Sequence, residues 1–237
     1  MNVALVGYGK MGKAIEEILK ERGHQVSYKI SIDNPEDLQL INSTNTDVAI
    51  EFTAPDAAFD NILSCLENKV PVVSGSTGWL DRLEEVKKKS EESGAGFFYA
   101  SNYSLGVNIF FRLNQTLAKM MNGRDYQVDM LEVHHTQKLD APSGTAITLA
   151  EGLIDNMESK KGWVNERTKV QDKVGIMSER TENVPGTHEV TYSSEVDTIK
   201  ISHVAHSRKG FALGAVLAAE YLEGKSGVHS MDDLINF

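Results

Sequence analysis

Cysteine is almost missing from this chain: Cys65 stands alone among 237 residues. One thiol cannot build a disulfide framework, and such sparing use fits a reducing compartment. No Cys-x-x-Cys or His-Glu-x-x-His spacing occurs, so the usual zinc signatures are lacking. No run approaches the roughly 18 apolar residues of a membrane-spanning helix. The start, Met1-Asn2-Val3-Ala4-Leu5-Val6, lacks a basic stretch and a long apolar one, so no secretory signal is expected. Positive charge is short as well, 24 Lys and Arg against 34 Asp and Glu, for a net charge of −10. That balance argues against a nucleic-acid partner, although a local pocket can be cationic on an acidic protein. Repeats and low-complexity tracts are also lacking. What is present is a hydrophobic fraction of 41%, enough for a real core. A soluble, cytoplasmic protein of one large or two modest domains is expected.

Val3-Ala4-Leu5-Val6 is a short apolar run of the kind a buried parallel strand shows. It enters Gly7-Tyr8-Gly9-Lys10-Met11-Gly12, after which Ala14, Ile15, Ile18 and Leu19 recur at helical spacing. Strand, glycine loop and helix form the context in which G-x-G-x-x-G marks a dinucleotide-binding turn. The first glycine permits the turn, the second admits a pyrophosphate and the third lets helix pack on strand. An incidental glycine-rich turn is the competing reading. The acid that contacts the ribose in such folds is expected about 20 residues further on, after a second strand read over residues 25–32. Asp33 is the nearest candidate, with Ser31 and Lys29 beside it; a plain turn at Asp33-Asn34-Pro35 is the alternative. An acid there favours NADH, whereas Lys10 and Lys29 favour the 2′-phosphate of NADPH. Strands over 47–52, 71–73 and 96–99 then alternate with helices over 57–67 and 80–93. Small-residue loops follow two of those strands, Ser74-Gly75-Ser76-Thr77-Gly78 and Ala100-Ser101-Asn102-Tyr103-Ser104, at the edge where open α/β sheets bind ligands. The predicted class is α/β, a Rossmann doubly wound parallel sheet over residues 1–104.

Beyond that point the pattern changes. A long apolar helix is predicted over 107–121 and a strand over 128–133. Two antiparallel neighbours are read over 187–192 and 197–204, and residues 157–186 read as polar loops around one strand at 174–177. A second, α+β domain with a mainly antiparallel sheet is therefore expected over 105–209, with 210–237 returning to the first. The densest chemistry is Glu132 to Ala146, a loop between a strand and a helix predicted over 145–156, where rigid elements can hold reactive side chains. The Ser143-Gly144-Thr145 turn presents backbone N–H groups at the helix start, suited to an anion. With Lys138 and His135 alongside, a carboxylate or phosphate ligand is indicated. Asp140 reads as a structural partner of the loop or an N-cap rather than a proton carrier. Glu132 reads equally as an imidazole-orienting group or a solvent-facing strand residue, and His188, His203 and His206 as structural or interfacial.

The run His134-His135-x-x-Lys138-x-Asp140-Ala141-Pro142-Ser143-Gly144-Thr145-Ala146 resembles the signature of the 4-hydroxy-tetrahydrodipicolinate reductase family of diaminopimelate and lysine biosynthesis. Gly7 to Gly12 falls where that family has its nucleotide loop. Gly75-Ser76-Thr77-Gly78 resembles its G-T-T-G loop, Ala100 to Ser104 its A-x-N-[FY]-S segment, and His203 to Arg208 with Phe211 its late H-x-A-x-S-R…F run. The resemblance implies a general acid/base role for His134, proton donation by Lys138, a substrate contact at His135, and a carboxylate-gripping turn at Gly144-Thr145 with Ser143. It implies cofactor contacts through Gly7, Tyr8, Gly9, Lys10, Met11 and Gly12, and through Gly75, Ser76, Thr77, Ala100, Ser101, Asn102 and Tyr103. NADH or NADPH, a small cyclic dicarboxylate and a homotetramer built through the second domain's sheet are implied as well, with no metal. Two departures sit at the adenosine end: the loop is one residue shorter, with Lys10 in the arginine's place, and Ser31 aligns where the ribose-contacting acid is expected. Arg208 is a further candidate for a substrate carboxylate. The competing readings are another Rossmann dehydrogenase acting on an amino acid or sugar, a non-catalytic NAD-binding regulator, and a metal enzyme using His134, His135 and Asp140.

Overall fold

In the computed structural model, which describes residues 1–207 and 209–236, the first strand is β1 (Asn2–Val6), followed by α1 (Lys10–Glu21) and β2 (Gln25–Ile30). Then come β3 (Val48–Glu51), α2 (Pro55–Glu67), β4 (Val72–Ser74), α3 (Leu83–Ser93) and β5 (Phe97–Tyr99). The middle of the chain holds α4 (Leu105–Met121), β6 (Gln127–His134), α5 (Gly144–Ile154), β7 (Gly162–Val164), β8 (Lys173–Arg180), β9 (Gly186–Ser193) and β10 (Thr198–Ala205). It closes with α6 (Lys209–Leu222), β11 (Val228–His229) and α7 (Met231–Ile235). Two units result: Met1–Leu105 with Lys209–Phe237, and Gly106–Arg208.

The first unit's sheet runs β11-β5-β4-β3-β1-β2, every pair parallel. Its central strands β1, β3, β4 and β5 are mostly apolar and buried because both faces are covered, whereas the edge strand β2 alternates, with Gln25, Ser27 and Lys29 exposed. Along β1, Val3 and Leu5 pack with Ile15, Leu19 and the α6 residues Ala215 and Ala219, while Ala4 and Val6 pack on the other side with Ile62 and Leu66 of α2. Helix α6 comes close because small residues line its buried face: a Cβ at Gly214 would lie 1.7 Å from the Tyr103 carbonyl oxygen. From β1 the connections leave in opposite directions, to β2 on one side and β3 on the other, so the ligand-binding crevice of such a sheet lies at the carboxyl ends of β1 and β3. Cys65 is buried, and burial together with nearby Glu51 pushes its thiol up to about 12, which leaves it unreactive.

The second unit's sheet runs β10-β9-β6-β8-β7. The expected antiparallel pairing holds for β10 with β9 and β9 with β6, whereas β8 and β7 add in parallel, making the sheet mixed. The polar stretch read as loops around one short strand instead supplies two strands, β7 and the eight-residue β8. Strand β8 is paired on both sides, and tertiary pairing holds Ser178-Glu179-Arg180 in the ladder despite their weak strand preference. Along β6 every second residue is buried, Val128, Met130, Glu132 and His134 in turn. Two apolar residues thus seat the row in the core, and two ionisable ones end the same row.

Candidate functional site

The crevice of the first unit is a cleft of about 310 Å³ lined by Gly9, Lys10, Met11, Phe52, Thr53, Pro55, Gly75, Ser76 and Thr77. Six of these were expected from sequence. Gly7 has φ +103°, and a Cβ there would lie 2.1 Å from the Phe52 carbonyl oxygen, so the turn can only be glycine. Nothing lies within 4 Å of a Cβ placed on Gly9, the N-cap of α1, so the backbone is open at the helix start. The first N–H groups of a helix lack internal partners, and a pyrophosphate would satisfy them here.

Below the cleft lies a carboxylate the sequence reading missed. Glu51, fully buried at the end of β3, accepts from the Thr53 N–H at 2.8 Å, Thr53 Oγ1 at 2.5 Å, Ser74 Oγ at 2.6 Å and Ser76 Oγ at 2.7 Å. It ties the loops after β3 and β4 together. The available signal was an acid closing an apolar strand. Tyr103 and Ala100 serve as packing under these loops: both are buried, and the Tyr103 hydroxyl donates to the Ser74 carbonyl at 2.7 Å. Ser101 is exposed, and Asn102 Oδ1 accepts from the Ser104 N–H at 2.9 Å. Gly12 packs against the Gly7 carbonyl, where a Cβ would lie 2.4 Å away.

At the adenosine end, Asp33 is exposed in a turn, its N–H donating to Ser31 Oγ at 3.2 Å, while Asn34 Oδ1 accepts from the Ser31 N–H at 2.9 Å. Lys29 is held by Glu16 at 2.8 Å, and so is Lys20 at 2.6 Å; the Tyr8 hydroxyl also donates to Glu16. Hydrogen bonds from Lys20, Lys29 and Tyr8 outweigh burial and bring the Glu16 carboxyl down to about 2.

In the second unit, the residues after β6 form the other cluster. Ser143 caps α5: its Oγ accepts from the Ala146 N–H at 3.2 Å, and its own N–H donates to both Glu132 oxygens at 3.1 Å. Ser143 is buried, so its polar atoms face inward, whereas the space beside Gly144 is open. The turn is reached through a cis Ala141-Pro142 bond. Lys138 Nζ donates to both Asp140 oxygens at 2.9 Å. Arg180, also missed from sequence, secures this loop: its Nη2 donates to the Asp140 carbonyl at 2.6 Å and lies 3.6 Å from Glu132. His135 lines a cleft of about 460 Å³ with Thr136, Gln137 and Glu182 to Pro185, the crossover from β8 to β9. Arg208 lies outside the described residues.

His134 is 7% exposed, and its Nδ1 lies 3.4 Å from Glu132 Oε2. Burial lowers its pKa to about 4, with Glu132 opposing that shift and His188 and Lys138 reinforcing it. Burial raises the Glu132 carboxyl, but hydrogen bonds from His188 and Ser143 prevail and bring it to about 2. Donor atoms of Glu132, His134 and His188 lie within 4.8 Å of one another, close enough to share a metal ion. Glu132 is already engaged by the Ser143 N–H and faced by Arg180, whereas the buried His134 Nδ1 has no hydrogen-bond partner among the described residues. This is a different grouping from His134, His135 and Asp140.

A glycine-loop crevice and a His-Lys-turn cluster on a mixed sheet define a two-unit dinucleotide-dependent reductase. The family models described as "Dihydrodipicolinate reductase, N-terminus" and "Dihydrodipicolinate reductase, C-terminus" match residues 1–103 and 106–235. The chain is 52% identical over all of its length and 98% of the relative's to a 4-hydroxy-tetrahydrodipicolinate reductase of Christiangramia forsetii. It is 36% identical to one of Alkaliphilus oremlandii, over 80% of each chain. Among solved structures it matches dipicolinate-bound dihydrodipicolinate reductase from Paenisporosarcina sp. TG-14 with a TM-score of 0.81 and 22% identity, over 98% of both chains. An amine dehydrogenase from Mycobacterium smegmatis shares the fold at a TM-score of 0.64 and 12% identity, over 96% of this chain and 94% of that one. The chain belongs to the dihydrodipicolinate reductase family.

Proposed function

We propose that this protein reduces 4-hydroxy-tetrahydrodipicolinate to tetrahydrodipicolinate in diaminopimelate and lysine biosynthesis. The observation that carries the reading is the loop from His134 to Thr145, with its imidazoles, amine and open helix-start turn, in a chain 52% identical end to end to a relative of that activity. Replacing a ring hydroxyl by hydrogen consumes a hydride and a proton and releases water. NADH or NADPH supplies the hydride; the first unit's residues Gly7 to Gly12, Gly75 to Thr77, Ser101 and Asn102 hold that nucleotide, with Ala100 and Tyr103 packed beneath them.

The chain's own residues supply the rest. Lys138, kept beside the turn by Asp140, provides the proton. His134 is neutral at pH 7 because burial lowers its pKa to about 4, so in the free protein it accepts or relays a proton rather than supplying one. The Gly144 and Thr145 N–H groups grip one substrate carboxylate at the start of α5, with Ser143 as their support and His135 facing the other. The residues 1–104 with 210–237 act as the nucleotide domain and 105–209 as the substrate and assembly domain. The protein acts in the cytoplasm as a homotetramer; β10, an edge strand with Ile199 and Val204 exposed, is the surface such an assembly would cover.

The test is oxidation of each nucleotide on enzymatically generated 4-hydroxy-tetrahydrodipicolinate. Turnover with NADH or NADPH is expected, and the ratio of the two kcat/KM values reads how Lys10, Lys29, Ser31 and Asp33 divide the adenosine end. Turnover confined to an amino acid or sugar would support a different dehydrogenase, and nucleotide binding with no turnover on any of these would support a regulator.

A further inference from the structure

His188 is 45 residues from Ser143 in the chain, yet the two side chains share a hydrogen bond of 3.2 Å between Nε2 and Oγ. Strand pairing brings them together. On β9, His188 stands directly opposite Glu132 on β6, and both are on the buried face. Glu132 takes the Ser143 N–H with both oxygens, and His188 holds the Ser143 hydroxyl. Ser143, which precedes the Gly144-Thr145 turn, is therefore held at its N–H and its hydroxyl by two facing strand residues. The same imidazole packs edge-on to His134, with ring centres 5.0 Å apart. His188 is 5% exposed, so its ring lies behind the turn and not on its open side.

We propose that His188, with Glu132, is a positioning residue that sets the Ser143-Gly144-Thr145 turn for the substrate's carboxylate. The proposal rests on the turn's role in the proposed reaction. A group that holds the turn acts on ground state and transition state alike, because the carboxylate is not a reacting centre. Its loss therefore raises KM and leaves kcat nearly unchanged. The glutamine side chain places an amide near the Nε2 position and can hold the serine hydroxyl, whereas phenylalanine fills the space and cannot.

The experiment compares wild type, His188→Gln and His188→Phe on enzymatically generated 4-hydroxy-tetrahydrodipicolinate, with the nucleotide Kd read separately by NADH fluorescence. His188→Phe is expected to raise KM for the substrate about 10-fold, the order expected from losing one buried hydrogen bond. Its kcat should stay within about 2-fold and its NADH Kd should not move, and His188→Gln should recover most of the loss. If the phenylalanine variant does not fold, His188→Asn, whose amide falls short of Ser143, takes its place with the same expectation. Equal loss in the glutamine and phenylalanine variants, a drop confined to kcat, or an unchanged substrate KM would overturn the proposal. Absence of turnover in wild type would instead overturn the reading of the reaction itself.

Discussion

His134 and Lys138 stand four residues apart, but their surroundings differ sharply. Burial keeps His134 neutral, with its pKa lowered from 6.5 to about 4. An unfolded chain binds a proton at this position sooner than the folded one does. The stabilisation from neutral His134 is therefore complete above pH 6.5 and is lost as the pH falls to about 4. Thermal melts of wild type and His134→Gln across that range should show a shallower decline in the variant; parallel curves would contradict the assignment. His134, Lys138 and Gly144 could be named as candidates from the sequence because one short loop carries them all. Glu132 stayed open between an imidazole-orienting and a solvent-facing reading, and the roles of His188 and Arg180 were not legible, because their shared site exists only once β9 and β8 flank β6. The alternation of β6 gave Glu132 a face, yet with Asp129 and Leu131 on the other face the pattern alone did not say that Glu132 was inside.

Among elements, α6 and α1 carry the most direct tests. Gly214→Ala puts a methyl group 1.7 Å from the Tyr103 carbonyl oxygen, and backbone must move to admit it. A loss of about 1–3 kcal/mol is expected, read as a lower Tm; an unchanged Tm would mean that α6 packs less closely. Glu16 joins α1 to β2 through Lys29. Its carboxyl falls from 4.5 to about 2 chiefly through hydrogen bonds from Lys20 and Lys29, so its stabilisation is full above pH 4.5 and is lost as the pH falls toward 2. Glu16→Gln should lower Tm at neutral pH and flatten the decline in that acid window. The inner parallel strands of the first unit, β1, β3, β4 and β5, were readable from sequence as short apolar runs because burial on both faces removes any need for alternation, whereas the two-residue β11 was not read. The first half of β8 was readable as the strand at 174–177, but its second half was not, because Ser178, Glu179 and Arg180 are held by pairing with β6 rather than by their own preference. Asp33 shows the same limit: position after β2 marked it, while Asn34 and Ser31 decide that the segment is a turn.

For the whole molecule, the division of labour is the central claim: one unit holds the nucleotide, and the loop from His134 to Thr145 on the other does the proton chemistry. Light scattering on the purified protein should give four times the chain mass of 26.1 kDa; a monomer would remove the role given to β10. The division itself is tested most directly by Lys138→Ala, with turnover and nucleotide binding measured on the same preparation. The account predicts a fall in kcat of about 10²–10⁴-fold, the range for a positioned proton donor, with the Kd for NADH unchanged. Near-normal kcat in that variant would contradict the account.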